Sequence, residues 1–299
     1  PGAQYFKPRS DGFRGEAGPD RQHRRGDDLI ARAVSSGARI FSSQIVWFAR
    51  ADDSGFEVRS IGITQGLRLR ARAVIIATGA YEYPAIVPGW TLPGAMTIGA
   101  AQTLIRRYGV APGGQVLIAG HGPLGLQLVA ELVALNTNVV ALAERGRPGI
   151  GPAAVAAAIA APRLIADGAR YRFAAFRARV PVLSGWELCT IFGKDRVEGA
   201  ELRQIATGQI RRMETDSVVA GDGFAPQLEL ARLLGVPVVT APATGQIHPE
   251  RTFDDKNFVA DNDLTPGCLG TSHSAYDATS TESNGVKING FLILCRNFI

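Results

Sequence analysis

The sequence lacks paired cysteines and long apolar runs. Its three cysteines, Cys189, Cys268 and Cys295, stand alone without a CxxC or Cys/His cluster. This predicts no disulfide framework, no dithiol redox centre and no metal site. The longest nearly unbroken apolar run, residues 153–161, is far shorter than the roughly 20 residues that a membrane helix needs. No transmembrane segment is therefore predicted.

Lysine is also scarce, because 28 of the 32 basic residues are arginines and the net charge is only +5. The arginines are scattered from Arg9 to Arg296. A nucleic-acid groove needs clustered basic residues with interleaved aromatic side chains. The sequence thus predicts no nucleic-acid partner.

What the chain does have is length, apolar content and glycine. Its 299 residues are 46% hydrophobic, enough for about two globular domains, each with a core. The 35 glycines form neither a repeat nor a linker, so they are expected at turns and close backbone approaches.

Both ends of the chain are unusual. The chain starts at Pro1 without a methionine or the pattern of a signal peptide, which predicts a fragment or processed product in the cytoplasm. Five of the seven asparagines lie in residues 251–299. Residues 261–299 are therefore expected to form a divergent tail, disordered or loosely packed. It is either an ordinary flexible terminus or a segment of different origin, such as a shifted reading frame.

Helix and strand patterns alternate through the first eighty residues. A short helix is predicted to begin at Asp27 or Asp28 and to end at Gly37. Strands are predicted at 43–49, 56–63, 67–70 and 73–77. The last is apolar without interruption and stops at Thr78-Gly79, which is typical of a buried parallel strand.

The strongest pattern lies between residues 115 and 144. A buried strand at 115–119 is followed by the turn GHGPLG at 120–125, a helical pattern at 126–135 and a second strand at 138–143. This order predicts a Rossmann-type βαβ unit. Its turn would place Gly120 in the bend, Gly122 against a pyrophosphate and Gly125 in helix-on-strand packing, with Pro123 and Leu124 completing the site.

The second strand ends at an acid, Glu144, which lies 19 residues after Gly125. A carboxylate in this place accepts hydrogen bonds from a ribose diol and repels a 2′-phosphate, which favours NAD. Arg145 and Arg147 could bind a 2′-phosphate, so NADP stays open.

A further buried strand is predicted at 216–220, closed by GDGFAP and followed by a helix at 227–234. Gly221 and Gly223 are candidates for a close approach to a cofactor. A simple turn explains them as well.

Four stretches together carry a family resemblance: IIATGAYEYP at 75–84, VPGWTLPGAMTIGAAQTL at 87–104, IAGHGPLGLQLVAEL at 118–132 and DSVVAGDGFAPQLELARLLG at 216–235. Over roughly residues 1–245 the chain resembles flavin-dependent pyridine-nucleotide oxidoreductases with two dinucleotide-binding domains. Within them it is most similar to the FAD subunit of heteromeric amino-acid and opine dehydrogenases. That group includes the A subunit of opine oxidase, the B subunit of hydrogen cyanide synthase and the α subunits of proline and hydroxyproline dehydrogenases.

The resemblance implies site residues. Gly2 and Gln4 match a glycine-glutamine segment that runs past the flavin, and Thr78 and Gly79 match a turn close to FAD. A second nucleotide site at Gly120, Gly122 and Gly125 would hold NAD(P), ATP or nothing. Two departures matter: the family's first glycine turn would precede Pro1, and its C-terminal ribityl motif is at best echoed at Asp261. The chain alone is thus expected to bind FAD poorly.

The implied fold class is α/β, with a Rossmann-like nucleotide-binding domain inserted in an incomplete FAD-binding α/β domain. The expected boundaries are 1–94 and 206–260 for the FAD-binding portions and 95–205 for the nucleotide domain.

The implied function is an FAD-dependent oxidoreductase subunit that relays electrons from a second, substrate-oxidising subunit, which acts on an amino acid or opine. No side chain is identified as a catalytic acid or base. The alternatives are an NAD(P)H-dependent flavin reductase for a protein or quinone acceptor, and a nucleotide-binding module without chemistry.

The glycine turn provides the first testable prediction. Gly122→Val should abolish dinucleotide or ATP binding and leave the fold largely intact, because a β-branched side chain would fill the space of the pyrophosphate. Calorimetric titration measures this, and an unchanged affinity would remove the site from this turn.

Overall fold

The computed structural model describes residues 6–15, 18–53, 55–120, 123–146, 162–240, 247–249, 257–259 and 291–295. Within these ranges, no helix is both long and apolar enough to cross a membrane.

The first part of the chain forms one helix and four strands: α1 (Arg21–Ser35), β1 (Gln44–Asp52), β2 (Gly55–Gly62), β3 (Gly66–Ala71) and β4 (Ala73–Ala77). The four predicted strands are confirmed. The predicted start of the helix at Asp27 or Asp28 is wrong, because Asp20 caps the helix by accepting a hydrogen bond from the His23 amide at 2.8 Å. Gly26 lies inside the helix, where a Cβ would approach Phe6 to 2.7 Å.

Strands β1, β2 and β3 form an antiparallel sheet. One face of this sheet is apolar and buries Ala49, Phe56 and Val58 against Val74 and Ile76 of β4. Alternation along the strands therefore builds a core between the sheet and β4.

The middle of the chain forms a second unit, preceded by β5 (Ala80–Glu82). It comprises β6 (Ala95–Met96), α2 (Ile98–Thr103), a π-helical turn (Leu104–Tyr108), β7 (Gln115–Gly120), α3 (Pro123–Ala134), β8 (Asn138–Glu144), α4 (Pro162–Arg177), β9 (Val182–Ser184), β10 (Trp186–Phe192), β11 (Gly199–Gln204), β12 (Ile210–Glu214) and β13 (Ser217–Gly221). We call Ala95–Gly221 the Rossmann-like unit. The predicted succession of strand, glycine turn, helix and strand is confirmed.

The Rossmann-like unit is a three-layer structure around a parallel sheet with strand order β6-β13-β7-β8-β9. On one face Val116 and Ile118 of β7 pack against Leu128 and Val129 of α3. The other face is covered by the antiparallel strands β10, β11 and β12. Both faces of the sheet are thus buried, as its unbroken apolar strands predict.

Strand β13 belongs to this sheet, since it pairs with β7 along its whole length. The second FAD-binding portion is expected from residue 206 onward, a boundary that stays a prediction, and β13 pairs in the sheet of the Rossmann-like unit. The reason is burial, because every residue of β13 is buried and a strand buried on both faces fits the centre of this sheet.

Beyond β13 the chain returns to the first part. It forms β14 (Phe224–Pro226), α5 (Glu229–Leu233), β15 (Val238–Thr240), β16 (Ile247–Pro249), β17 (Asn257–Val259) and β18 (Phe291–Cys295). Strand β14 pairs with β5, so the outgoing and returning segments form a two-stranded ribbon. Strands β17 and β18 flank β4 in parallel. Segments before and after the Rossmann-like unit thus pair with each other, and β18 lies in the segment expected to be a divergent tail, where no strand was predicted.

A buried polar cluster joins the N-terminal segment to the Rossmann-like unit. Arg106, only 5% exposed, contacts Asp20 and Glu131 of α3 at 3.0 Å each. Burial alone would raise the pKa of Asp20, but hydrogen bonds from the His23 amide and Arg106 lower this pKa to about 2. For Glu131, burial raises the pKa against the attraction of Arg106. One guanidinium therefore holds together three segments distant in sequence.

Arg106→Met tests this cluster. Removing the cation while keeping much of its volume leaves two carboxyl groups without their partner, and we expect a loss of about 3–5 kcal/mol in the free energy of unfolding. Urea denaturation measures it. The control is Arg212→Met, whose side chain is 77% exposed beside Glu201 and should contribute about 1 kcal/mol or less. Equal losses in the two variants would contradict a stabilising role of the buried cluster.

Candidate functional site

The carboxyl ends of four parallel strands form one row. In register across the sheet lie Gly221 of β13, Gly120 of β7, Glu144 of β8 and Ser184 of β9. The chain runs from β7 outward to β9 and returns on the other side of β7 as β13. The strand order thus reverses between β7 and β13, and such a switch point opens the crevice where ligands bind in open α/β sheets.

The two glycines at the switch point are required by close approaches. A Cβ on Gly120 would lie 2.9 Å from the Gly221 carbonyl oxygen, and a Cβ on Gly221 would lie 2.7 Å from Glu82 Oε1. Glycine is therefore required at both positions because the protein packs closely around the ends of β7 and β13.

Helix α3 starts at Pro123, and its N-terminus follows the glycine turn. A helix N-terminus carries free amide groups and positive partial charge, which favour phosphates. A Cβ on Gly125 would lie 3.0 Å from Leu142 Cδ1, and Leu124 packs against the core of this layer. Gly125 therefore allows the close helix-on-strand packing that the sequence predicts.

Four of the predicted site residues lie outside the described residues: Gly2, Gln4, Gly122 and Asp261.

Glu82 is a site residue that the sequence patterns do not reveal. Its carboxylate accepts a hydrogen bond from the Gly99 amide at 2.7 Å and lies beside Gly221. Burial raises its pKa, while hydrogen bonds from Thr97 and the start of α2 act in the opposite direction. Nothing in the ATGAYEYP motif distinguishes this acid from an exposed one, because its burial depends on β13.

A chain of ion pairs surrounds the end of β8. Arg145 contacts Glu187 at 3.2 Å and Asp222 at 3.4 Å. Arg203 also donates to Glu187, through Nε at 2.9 Å. Hydrogen bonds from Arg203 and Arg145 lower the pKa of Glu187, so this carboxylate stays ionised. Of these ion-paired residues the sequence patterns point only to Arg145, since Glu187 and Asp222 are distant from it in sequence.

A second set of predicted residues lies at the end of β4. Gly79 has φ +78°, a conformation that favours glycine, and its carbonyl oxygen accepts a hydrogen bond from the Gln227 amide at 3.0 Å. Thr78 Oγ1 donates to the Gln227 carbonyl oxygen at 3.4 Å. The buried side-chain Nε2 of Gln227 has no hydrogen-bond partner within the described ranges. An unpaired buried donor next to Thr78-Gly79 fits the edge of a flavin.

Gly223 lies on the returning segment between β13 and β14, with φ +106° and open space around a Cβ position. Its carbonyl oxygen accepts a hydrogen bond from the Tyr83 amide at 2.8 Å, within the ribbon. In the part of the chain that the structure describes, no group of His, Cys, Asp and Glu is arranged to hold a metal ion.

Comparisons with known proteins identify relatives of the same kind. No protein-family model matches the chain. It is 29% identical to the A subunit of opine oxidase from Rhizobium meliloti, over 79% of this chain and 51% of that protein. It is 28% identical to hydrogen cyanide synthase subunit HcnB of Pseudomonas aeruginosa, over 54% of this chain and 36% of that protein. The chain thus spans about half or less of the length of these relatives.

Solved structures show the same fold. Thioredoxin reductase from T. acidophilum matches 89% of this chain and 80% of its own length, with a TM-score of 0.58 and 17% identity. L-proline dehydrogenase from P. horikoshii matches 86% of this chain and 42% of its own, with a TM-score of 0.58 and 13% identity. The chain is thus similar in sequence to subunits of opine oxidase and hydrogen cyanide synthase, and it has the fold of two-dinucleotide-domain oxidoreductases. The resemblance inferred from the sequence is confirmed.

The packing of α3 on β8 determines where the glycine turn lies. Substitutions at two helical glycines, Gly125 and Gly168, test this packing. Gly125→Val should destabilise the chain by about 1–3 kcal/mol more than Gly168→Val, because its side chain would meet Leu142 whereas the Gly168 position is open. Both substitutions replace a helical glycine by valine, so their difference in urea denaturation reports mainly the steric effect. Equal stabilities of the two variants would show that α3 and β8 can move apart at Gly125 and Leu142 without loss of stability.

Proposed function

We propose that the chain is part of an FAD-dependent oxidoreductase subunit of the amino-acid or opine dehydrogenase type, with a second site for NAD(P). The observation that carries the proposal is that the ribbon of β5 and β14 connects the two candidate cofactor sites. The crevice between β7 and β13 adjoins Glu82 at one end of β5, and Thr78-Gly79 precede the other end. The named relatives, which are subunits of opine oxidase and of hydrogen cyanide synthase, support it.

Each cofactor would be held by different residues. Gly120 and the N-terminus of α3 would receive the pyrophosphate of NAD(P), and Glu144 its ribose diol. Thr78, Gly79 and the side-chain amide of Gln227 would contact the flavin. When bound, the flavin supplies the hydride chemistry, and the protein contributes binding, orientation and electrostatics.

We further propose that the substrate is oxidised on a partner subunit, since the named relatives are themselves called subunits. The substrate class would be an amino acid or opine. Disulfide reduction is not proposed, although thioredoxin reductase shares the fold, because the three cysteines of this chain are far apart in sequence. Reduction of a quinone or protein acceptor by NAD(P)H is an outcome that the test below distinguishes.

Two left-handed glycines provide the test. The chain is purified, FAD is added, and its visible spectrum is recorded after gel filtration and again after NADH under anaerobic conditions. Because the chain alone is expected to bind FAD poorly, FAD is added in large excess and only weak flavin bands are expected after filtration. Gly79→Val should lose them while keeping NAD binding. Gly208→Val is the control, since Gly208 has φ +74° in an open hairpin position and shares the backbone strain without the flavin contact.

Bleaching of the bands by NADH alone would favour the flavin reductase. Bleaching only when an amino acid or opine is supplied together with a partner subunit would favour the dehydrogenase. Nucleotide-dependent melting together with flavin bands no stronger than those of Gly79→Val would contradict the oxidoreductase and favour a nucleotide-binding module.

A further inference from the structure

We propose that the outer side of α4 is a membrane-contact surface that lies against the headgroups of anionic lipids. The inference goes beyond the proposed function, because it concerns neither cofactor site and requires no bound cofactor. On its inner side, α4 packs against the core of the Rossmann-like unit through Tyr171 and Ala175. The outer side faces away from this core.

The first argument is an apolar stripe along the outer side of α4. Ile165, Phe173 and Phe176 are 51%, 62% and 79% exposed, and Ala169 is exposed as well. Steps of four, four and three residues along the chain place these four side chains on one side of a helix. A surface helix of a globular protein usually has one apolar side, whereas α4 has two. The second apolar side indicates a second contact.

The second argument is the charge on both borders of this stripe. At the angular spacing of a helix, Arg172 lies along one border, and Arg170 and Arg177 lie along the other. All three are exposed. Arg170 pairs with Asp167 at 3.5 Å, but among the described residues Arg172 and Arg177 form no ion pair. An apolar stripe between two rows of positive charge is complementary to an anionic surface.

The third argument distinguishes a lipid surface from other occupants. A second copy of the chain would bring the same arginines against each other, and like charges repel. The exposed parts of one isoleucine and two phenylalanines amount to roughly 300–400 Å² of apolar surface, less than the roughly 800 Å² that each partner buries in a stable protein interface. A fluid bilayer needs no matching groove. It accepts phenylalanine side chains below the headgroups, while the arginines stay at headgroup level.

Contact with a membrane leaves the cofactor crevice free. A helix that connects two parallel strands runs antiparallel to them, and α4 connects β8 to β9. Phe173 and Phe176 lie in the last two turns of α4, away from the carboxyl ends of the strands. The crevice lies at those carboxyl ends, beside Gly120 and Gly221. A lipid surface and a dinucleotide would therefore not compete for the same residues.

Co-sedimentation of the full chain with lipid vesicles tests the proposal. One set of vesicles contains phosphatidylcholine alone, and the other contains equal parts of phosphatidylcholine and phosphatidylglycerol. The chain is expected to bind the second set and to bind the first set at least about tenfold more weakly. Binding should also weaken as the salt concentration rises, because salt screens the attraction between arginines and headgroups.

Variants of α4 separate the apolar and the charged parts of the surface. Phe173→Ser/Phe176→Ser should lower the partition coefficient at least about tenfold, since both apolar anchors are lost. Phe173→Trp/Phe176→Trp should bind like the wild-type chain, because tryptophan is also an interfacial anchor. Arg172→Gln/Arg177→Gln should weaken binding to the anionic vesicles by about fivefold for each arginine.

Two matched double variants are the controls, and both change exposed side chains elsewhere. Ile61→Ser/Ile63→Ser removes two exposed apolar side chains at the end of β2, and Arg24→Gln/Arg25→Gln removes two exposed arginines from α1. Both are expected to bind vesicles like the wild-type chain. Circular dichroism checks that every variant keeps the fold.

The outcomes separate this surface from the proposed function. Absence of binding to both sets of vesicles, equal binding to both sets, or equal losses in the α4 variants and their controls would each overturn the membrane contact. If Phe173→Ser/Phe176→Ser changes the oligomeric state in gel filtration but not vesicle binding, the stripe is a protein contact instead. None of these results affects the proposed function, because the assay contains no flavin, nucleotide or amino acid substrate.

Discussion

The parallel pairing of β13 with β7 is the constraint on which the rest of the site depends. It places the Gly221 carbonyl oxygen so close to Gly120 that Gly120 has no room for a side chain. The same pairing brings Glu82 over the end of β13 and carries Asp222 to the far side of β7. Without this pairing, the βαβ unit of β7, α3 and β8 would have no switch point beside its glycine turn, and the crevice would lack the side formed by β13.

Local patterns and long-range pairing explain what the sequence could predict. The βαβ unit was predictable because each of its parts has its own signal: an apolar strand, a glycine turn, a helical period and a terminal acid. The sheet to which β13 belongs could not be predicted, since an apolar strand shows the same pattern in any buried sheet. The ion pairs of Arg106 with Asp20 and of Arg145 with Asp222 could not be predicted for the same reason, because the paired residues are 86 and 77 positions apart in the sequence.

The buried cluster around Arg106 changes how the N-terminal segment should be understood. Sequence resemblance assigned residues 1–94 to the flavin-binding part, yet residues 6–35 contact the Rossmann-like unit through Ser10, His23 and Asp20. Glu131, the cluster's partner on α3, lies just over two turns from the start of this helix. Through Arg106 the N-terminal segment is therefore tied to α3, the helix whose N-terminus follows the glycine turn.

The two cofactor edges differ in completeness but share one backbone element. The nucleotide edge has its strands, helix and acid among the described residues, whereas the flavin edge is represented by Thr78, Gly79 and Gln227 beside β4. Gly79 and Glu82 are three residues apart on an extended segment, which corresponds to about 10 Å. Because β14 pairs with this segment and leads to Gln227, the ribbon fixes both edges relative to each other. Ligands held at these two edges would thus be positioned by the same short pair of strands, so the spacing between them is a property of the ribbon and of neither unit alone.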